Sequence, residues 1–314
     1  MTVPPWRIVF FGTPSFALPT LLGLLERPVE VVGVVTQPDR EKGRGRKVVI
    51  SPVKEFALQH GLTLLQPEKV KEEVFRESVR GLQPDVFVVV AYGQILPKPV
   101  LNIPKYGAVN VHASLLPRYR GAAPMAWAIL RGEKVTGVTT MAMDEGMDTG
   151  DILLQAEVAI RDGETCETLH DRLAPLGAQL LLKTLEKMEA EHIQPIPQDH
   201  SRATYAPPLK KEDGYIDWKK EAAEIDRQVR AFNPWPGAFT KWGGRLLKIY
   251  RGRIRERTSA GKAGVAVWVG SDFIEVEAGK DSYLIEEVQL EGRKKMTIRE
   301  FLSGHPISTG AVFH

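Results

Sequence analysis

Three short runs, Arg7–Phe11, Val31–Val35 and Asp85–Val90, are apolar at nearly every position and rich in valine. A strand with one wet face alternates apolar and polar residues, so runs without alternation fit strands covered on both faces. Helical segments separate them. Leu18–Glu26 carries Pro14 and Pro19 only in its approach or first turn. Ser51 and Pro52 read as N-cap and first helical position of a helix reaching His60, which Gly61 ends. Leu62–Leu65 is strand-like, and Glu68–Arg80 has helical charge spacing up to Gly81. Short strands are expected at Ala108–Val111 and Val135–Met143, with helices at Ala122–Arg131 and Glu167–Glu191. Strand–helix alternation of this kind predicts an α/β fold with an open, mostly parallel, Rossmann-like sheet.

The pattern then changes. Ile193–Leu209 contains Pro195, Pro197, Pro207 and Pro208 with polar residues between them, which reads as a linker. After a helix at Ala222–Ala231, the runs Arg245–Ile254, Ala263–Val269, Phe273–Ala278 and Tyr283–Leu290 are β-branched, alternating and bounded by glycine. A smaller all-β, barrel-like domain is expected there. The division is an α/β domain at 1–192, a linker at 193–208 and a β domain at 209–314, in line with a chain of 314 residues.

Several function classes are disfavoured. No apolar run reaches the ~18 residues of a membrane span, and Met1–Phe11 has no secretory h-region. A single cysteine, Cys166, can form no internal disulfide, which fits a cytoplasmic protein. The seven histidines show no H-E-x-x-H pairing, so no metal is expected. Phe11-Gly12-Thr13-Pro14 is not a dinucleotide-binding turn, and no P-loop sequence is present.

The net charge is only +3, but it is unevenly spread. Asp39–Lys47 holds five bases against two acids, and Lys241–Lys262 holds eight against Glu256 alone. Such clusters suit a polyanion, although solvated charge runs look the same.

In open α/β sheets ligands bind beyond the carboxyl ends of the strands. Asn110 and His112 stand two apart at such an end, on one face. An amide and an imidazole aimed at one point can hold a developing oxyanion, and the imidazole can also move a proton. Asp148 follows 36 positions later and can orient the imidazole. Taken singly, His112 can be a structural histidine, Asn110 a turn residue and Asp148 the start of an Asx turn. A Ser114–His112–Asp148 hydrolytic triad lacks the G-x-S-x-G elbow.

The run Asn110-Val111-His112-Ala113-Ser114-Leu115-Leu116-Pro117-Arg118-Tyr119-Arg120-Gly121, followed by Asp144-x-Gly146-x-Asp148-Thr149-Gly150, resembles the signature of the folate-dependent formyltransferases. Phe11–Pro14 and Tyr92-Gly93-Gln94-Ile95-Leu96 match as well. Three further segments resemble the branch that acts on aminoacylated tRNA: Gly43–Lys47, Leu209–Trp218 and Arg230–Gly237.

The resemblance implies transfer of a formyl group from 10-formyltetrahydrofolate to the methionine amine of initiator methionyl-tRNA, by a cytoplasmic monomer. It makes Asn110, His112 and Asp148 catalytic. It gives folate contacts to Ser114, Leu115, Leu116 and Pro117, and assigns the pterin walls to Tyr92, Gly93, Ile95, Leu96, Met141, Asp144 and Gly146. It puts tRNA contacts at Arg40, Lys42, Arg44, Arg46 and Lys47, and at Lys211, Lys248, Arg251 and Arg253. Two rivals stay open: another folate-dependent formyltransferase or hydrolase, and a non-enzymatic RNA-binding protein.

Overall fold

The computed structural model describes residues 6–42, 47–257 and 261–314. The chain divides into two compact units. The first comprises residues up to Pro124, Val135–Ala159 and His170–Pro207; the second comprises Met125–Lys134, Ile160–Leu169 and Pro208–His314.

The first unit is built on a seven-stranded sheet. Its strands run in the order Ile152–Ala159, Val135–Ala142, Ala108–His112, Val86–Val90, Arg7–Gly12, Glu30–Val35 and Leu64–Leu65. The last five are mutually parallel, as the apolar runs predict. Val86–Val90 is buried at every position because both faces of the sheet are covered. Val135–Ala142 runs antiparallel to Ala108–His112, and Ile152–Ala159 pairs antiparallel with it in turn. Ile152–Ala159 begins buried and then alternates half-buried and exposed positions, as an edge strand with one wet face does.

The helices start where their caps place them. The Ser51 hydroxyl accepts from the Lys54 N–H at 3.0 Å and opens the helix Pro52–Gln59. The helix Cys166–Glu189 runs 24 residues with Pro175 inside it. The proline-bearing stretch after it makes specific contacts. Ile196 pairs with Ile152, and Tyr205–Ala206 forms a short parallel ladder with Arg120–Gly121. Polarity and proline content signal a connector in sequence, but this backbone finds its partners in distant segments.

The second unit holds an antiparallel sheet in the order Ala238–Trp242, Arg245–Arg255, Ser282–Leu290, Ile274–Glu277 and Ala266–Val269. Met296–Thr297 adds a short pairing to Ser282–Leu290. The last residues of the chain bridge the two edges. Phe313 N–H donates to the Gly264 carbonyl at 2.7 Å, and Lys241 and His314 exchange backbone bonds at 2.8 and 2.9 Å. That closure gives the barrel-like character and leaves neither edge strand bare. The interior is filled by Trp218, Leu247, Ile249, Tyr283, Ile285, Phe301 and Phe313, with the helix Ala222–Ala231 packed on the sheet. No helix among the described residues is long and apolar enough to cross a membrane.

Candidate active site

The strand Ala108–His112 is flanked by Val86–Val90 and Val135–Ala142, so its position is fixed from both sides. Asn110 lies opposite Val89 and Met141, and His112 lies opposite Thr139. The period of two turns both side chains to one face. Asn110 is 8% exposed and His112 6%. No hydrogen bond to the Asn110 amide forms among the described residues, which leaves its donors to a ligand.

His112 Nε2 lies 2.9 Å from the Tyr119 carbonyl oxygen. A carbonyl only accepts, so Nε2 carries the proton and donates. Nδ1 faces Asp148 Oδ2 at 3.6 Å, too long for a hydrogen bond but within ion-pair range once the ring is charged. Asp148 has a left-handed backbone, with φ at +54°. Its Oδ2 accepts from the Gly121 N–H at 2.7 Å. Gly121 is a glycine of necessity: its φ is +119°, and a Cβ there would lie 2.7 Å from the Ala206 carbonyl oxygen.

Segments distant in sequence thus meet: Asn110 and His112 share one face of their strand, the imidazole has its tautomer set, and the Asp148 carboxylate lies against it. The arrangement suits stabilising negative charge on an oxygen. It contains no evident nucleophile. The Ser114 hydroxyl donates to the Arg118 carbonyl at 2.6 Å, which ties it into its own loop.

The residues expected around a folate fall into two groups. Ser114, Leu116 and Met141 are buried, the last two packed with Ile152, while Leu115 and Pro117 are half-buried. Tyr92 and Leu96 are buried in an apolar cluster with Val9, Phe11 and Phe87. Burial raises the Tyr92 phenol pKa well above its ordinary value, and its hydroxyl has no hydrogen-bond partner among the described residues. Gly93, Asp144 and Gly146 are exposed, and Ile95 is 67% exposed beyond the end of its strand. Asp144 Oδ1 accepts from the Gly146 N–H and the Thr149 hydroxyl, at 3.0 and 2.6 Å, which folds that loop on itself.

The expected cations are also placed in part. Arg40 is exposed and donates to Gln37. Lys42 and Lys47 face each other in a short hairpin; their side chains, and all of Arg44 and Arg46, lie outside the described residues. Lys211 is exposed, whereas Lys248 Nζ donates to the Pro236 carbonyl at 3.0 Å. Arg251 and Arg253 share Glu286 at 3.0 Å each, and Arg251 also reaches Glu287. Arg255 and Arg257 pair with the buried Glu275 and, for Arg257, Glu277. The basic run is therefore partly neutralised by acids on neighbouring strands, which sequence-local counting misses.

Residues with no motif of their own also hold the site. Gln198 and Arg120 are buried, and Gln198 bonds the backbone beside Asp148. Gln198 lies in the stretch read as a linker, where neither periodicity nor spacing marks it.

Residues 6–185 match the formyl transferase family, and residues 208–306 match the formyl transferase C-terminal domain. A methionyl-tRNA formyltransferase of Trichlorobacter lovleyi is 52% identical over 98% of this chain and 96% of its own. One of Citrifermentans bemidjiense is 51% identical over the same shares. Among solved structures, HypX of Aquifex aeolicus in complex with tetrahydrofolic acid superposes with a TM-score of 0.65 at 18% identity. That match covers 99% of this chain and 51% of HypX, so the chain spans about half the length of that protein.

Proposed function

The chain belongs to the formyl transferase family, and from that membership and the site we propose that it formylates initiator methionyl-tRNA. The formyl donor is 10-formyltetrahydrofolate, and the acceptor is the α-amino group of the esterified methionine. The observation that carries the chemistry is the convergence of Asn110, His112 and Asp148, with Nδ1 of the ring 3.6 Å from the carboxylate.

The free amine attacks the formyl carbon and a C–N bond forms. The bond from that carbon to N10 of the folate breaks, and the amine proton ends on N10. Negative charge develops meanwhile on the formyl oxygen. Asn110 donates to that oxygen from its amide. With Nε2 of His112 held by Tyr119, Nδ1 is the ring nitrogen left on the Asp148 side, which is where we place the reacting atoms. When protonated it donates to the oxygen, with Asp148 supporting its charge. Withdrawal of a buried donor of this kind typically costs about 10²–10³ in rate.

The exposed Ile95 and the segment Ser114–Pro117 fit an apolar ring system beyond the strand ends. The bases of the Arg40–Lys47 segment, and separately Lys211, Lys248, Arg251 and Arg253, suit contacts to phosphates. Exposed ion pairs such as Arg251–Glu286 are weak, so phosphates can replace their carboxylates. Such a protein acts in the cytoplasm as a monomer. The test is formyl transfer by the purified protein. Formylmethionyl-tRNA from the initiator species supports the reading. Formate release without acceptor points to a hydrolase, and formylation of a sugar amine alone points to the other transferases.

A further inference from the structure

Arg120 is a charged side chain only 2% exposed. Its guanidinium is held by neutral groups: Nε and Nη2 donate to Gln198 Oε1 at 3.1 and 2.6 Å, and the guanidinium also donates to His200 Nδ1 at 3.2 Å. A buried guanidinium is tolerable only when its donors are satisfied, so the amide that satisfies them is held in a fixed orientation. The other end of that amide shows what is enforced. Gln198, itself 6% exposed, donates from Nε2 to the carbonyls of Asp148 and Gly150, at 2.9 and 2.7 Å. It therefore grips the backbone at Asp148, whose φ is +54°. The residues on either side of Arg120 close the loop, because the Gly121 N–H donates to the Asp148 carboxylate and the Tyr119 carbonyl accepts from His112.

We infer that Gln198, locked by the buried Arg120, is a positioning residue that sets the backbone of Asp148 and thereby the carboxylate beside His112. This rests on the reading of Asp148 as functional. Two acceptor carbonyls demand a donor, and the Arg120 fork demands an acceptor. A primary amide meets both demands in one side chain. Glutamate keeps the acceptor toward Arg120 but turns a carboxylate oxygen on the two carbonyls.

The test is a double-mutant cycle in the full-length protein with Gln198→Glu, Gln198→Met, Asp148→Asn and the double variant Asp148→Asn/Gln198→Glu. Formyl transfer is measured as kcat and KM for both substrates. The glutamine variants are expected to lose on the order of 10- to 100-fold in kcat with little change in either KM, the effect of a small misplacement of a reacting group. The double variant is expected to be no slower than Asp148→Asn alone, since Gln198 acts through Asp148. A purely structural role would lower the melting temperature and leave kcat intact. Near-normal kcat in either folded Gln198 variant, or fully additive losses, overturns the inference. Wild-type activity of Asp148→Asn would instead remove the reading on which it rests. The methionine variant, close in volume and uncharged, keeps the test open if glutamate prevents folding.

Discussion

Neighbouring side chains in the site carry separate tasks. Asn110→Ala removes an amide that has no hydrogen bond among the described residues, so stability is expected to hold while kcat falls by about 10²–10³. A melting curve and a steady-state assay check the two halves together; a large stability loss with normal kcat would make Asn110 a packing residue. Cys166 gives a second prediction. Burial pushes its thiol pKa up to about 11. The thiolate is the reactive form, so at pH 8 alkylation is expected to be far slower in the native protein than in urea. In the unfolded chain the thiol ionises near its ordinary ~8.5. Its contribution to stability is thus complete below that pH and is lost as pH rises toward 11. Equal alkylation rates in the two states would contradict the burial.

At the element scale two closures matter. Gly121→Ala forces a Cβ against the Ala206 carbonyl and shifts the N–H that holds Asp148. Both melting temperature and kcat are expected to fall, and an unaltered kcat would show that the Arg120–Gly121 ladder does not support the site. In the second unit, Phe313 is almost fully buried and packs near Trp218 on the segment that bridges the sheet edges. Phe313→Ala is expected to cost about 3–5 kcal/mol, read from urea unfolding; a loss under about 1 kcal/mol would mean the barrel holds without its closing segment. The parallel strands were legible because burial on both faces leaves an uninterrupted valine-rich signature, and Asn110 with His112 because strand periodicity fixes their common face. The brace behind them was not. Gln198 and Tyr205–Ala206 form long-range bonds that leave no local pattern, and the acids facing Arg251–Arg257 lie 18 to 36 residues away along the chain.

At the scale of the whole molecule, the two units are not consecutive stretches of sequence. Leu130 and Glu164 offer their carbonyls to Arg227 and Arg230, within the second unit. A chain ending at Pro207 is expected to bind the folate donor with reduced stability and to lose most tRNA affinity. A chain ending at Gln194 is expected to lose donor binding as well, because residues 196–206 are absent from the site's frame. Isothermal titration of the two truncated chains decides this, and equal donor affinity would show that the frame is dispensable. The assignment on which the site rests is formyl transfer to methionyl-tRNA by His112 and its neighbours. Its most direct test is a single-turnover reaction of donor-saturated wild type and His112→Ala with initiator methionyl-tRNA. Wild type is expected to formylate rapidly, and the variant to be about 10²–10³ slower at unchanged donor affinity. Equal single-turnover rates in two folded proteins would contradict it.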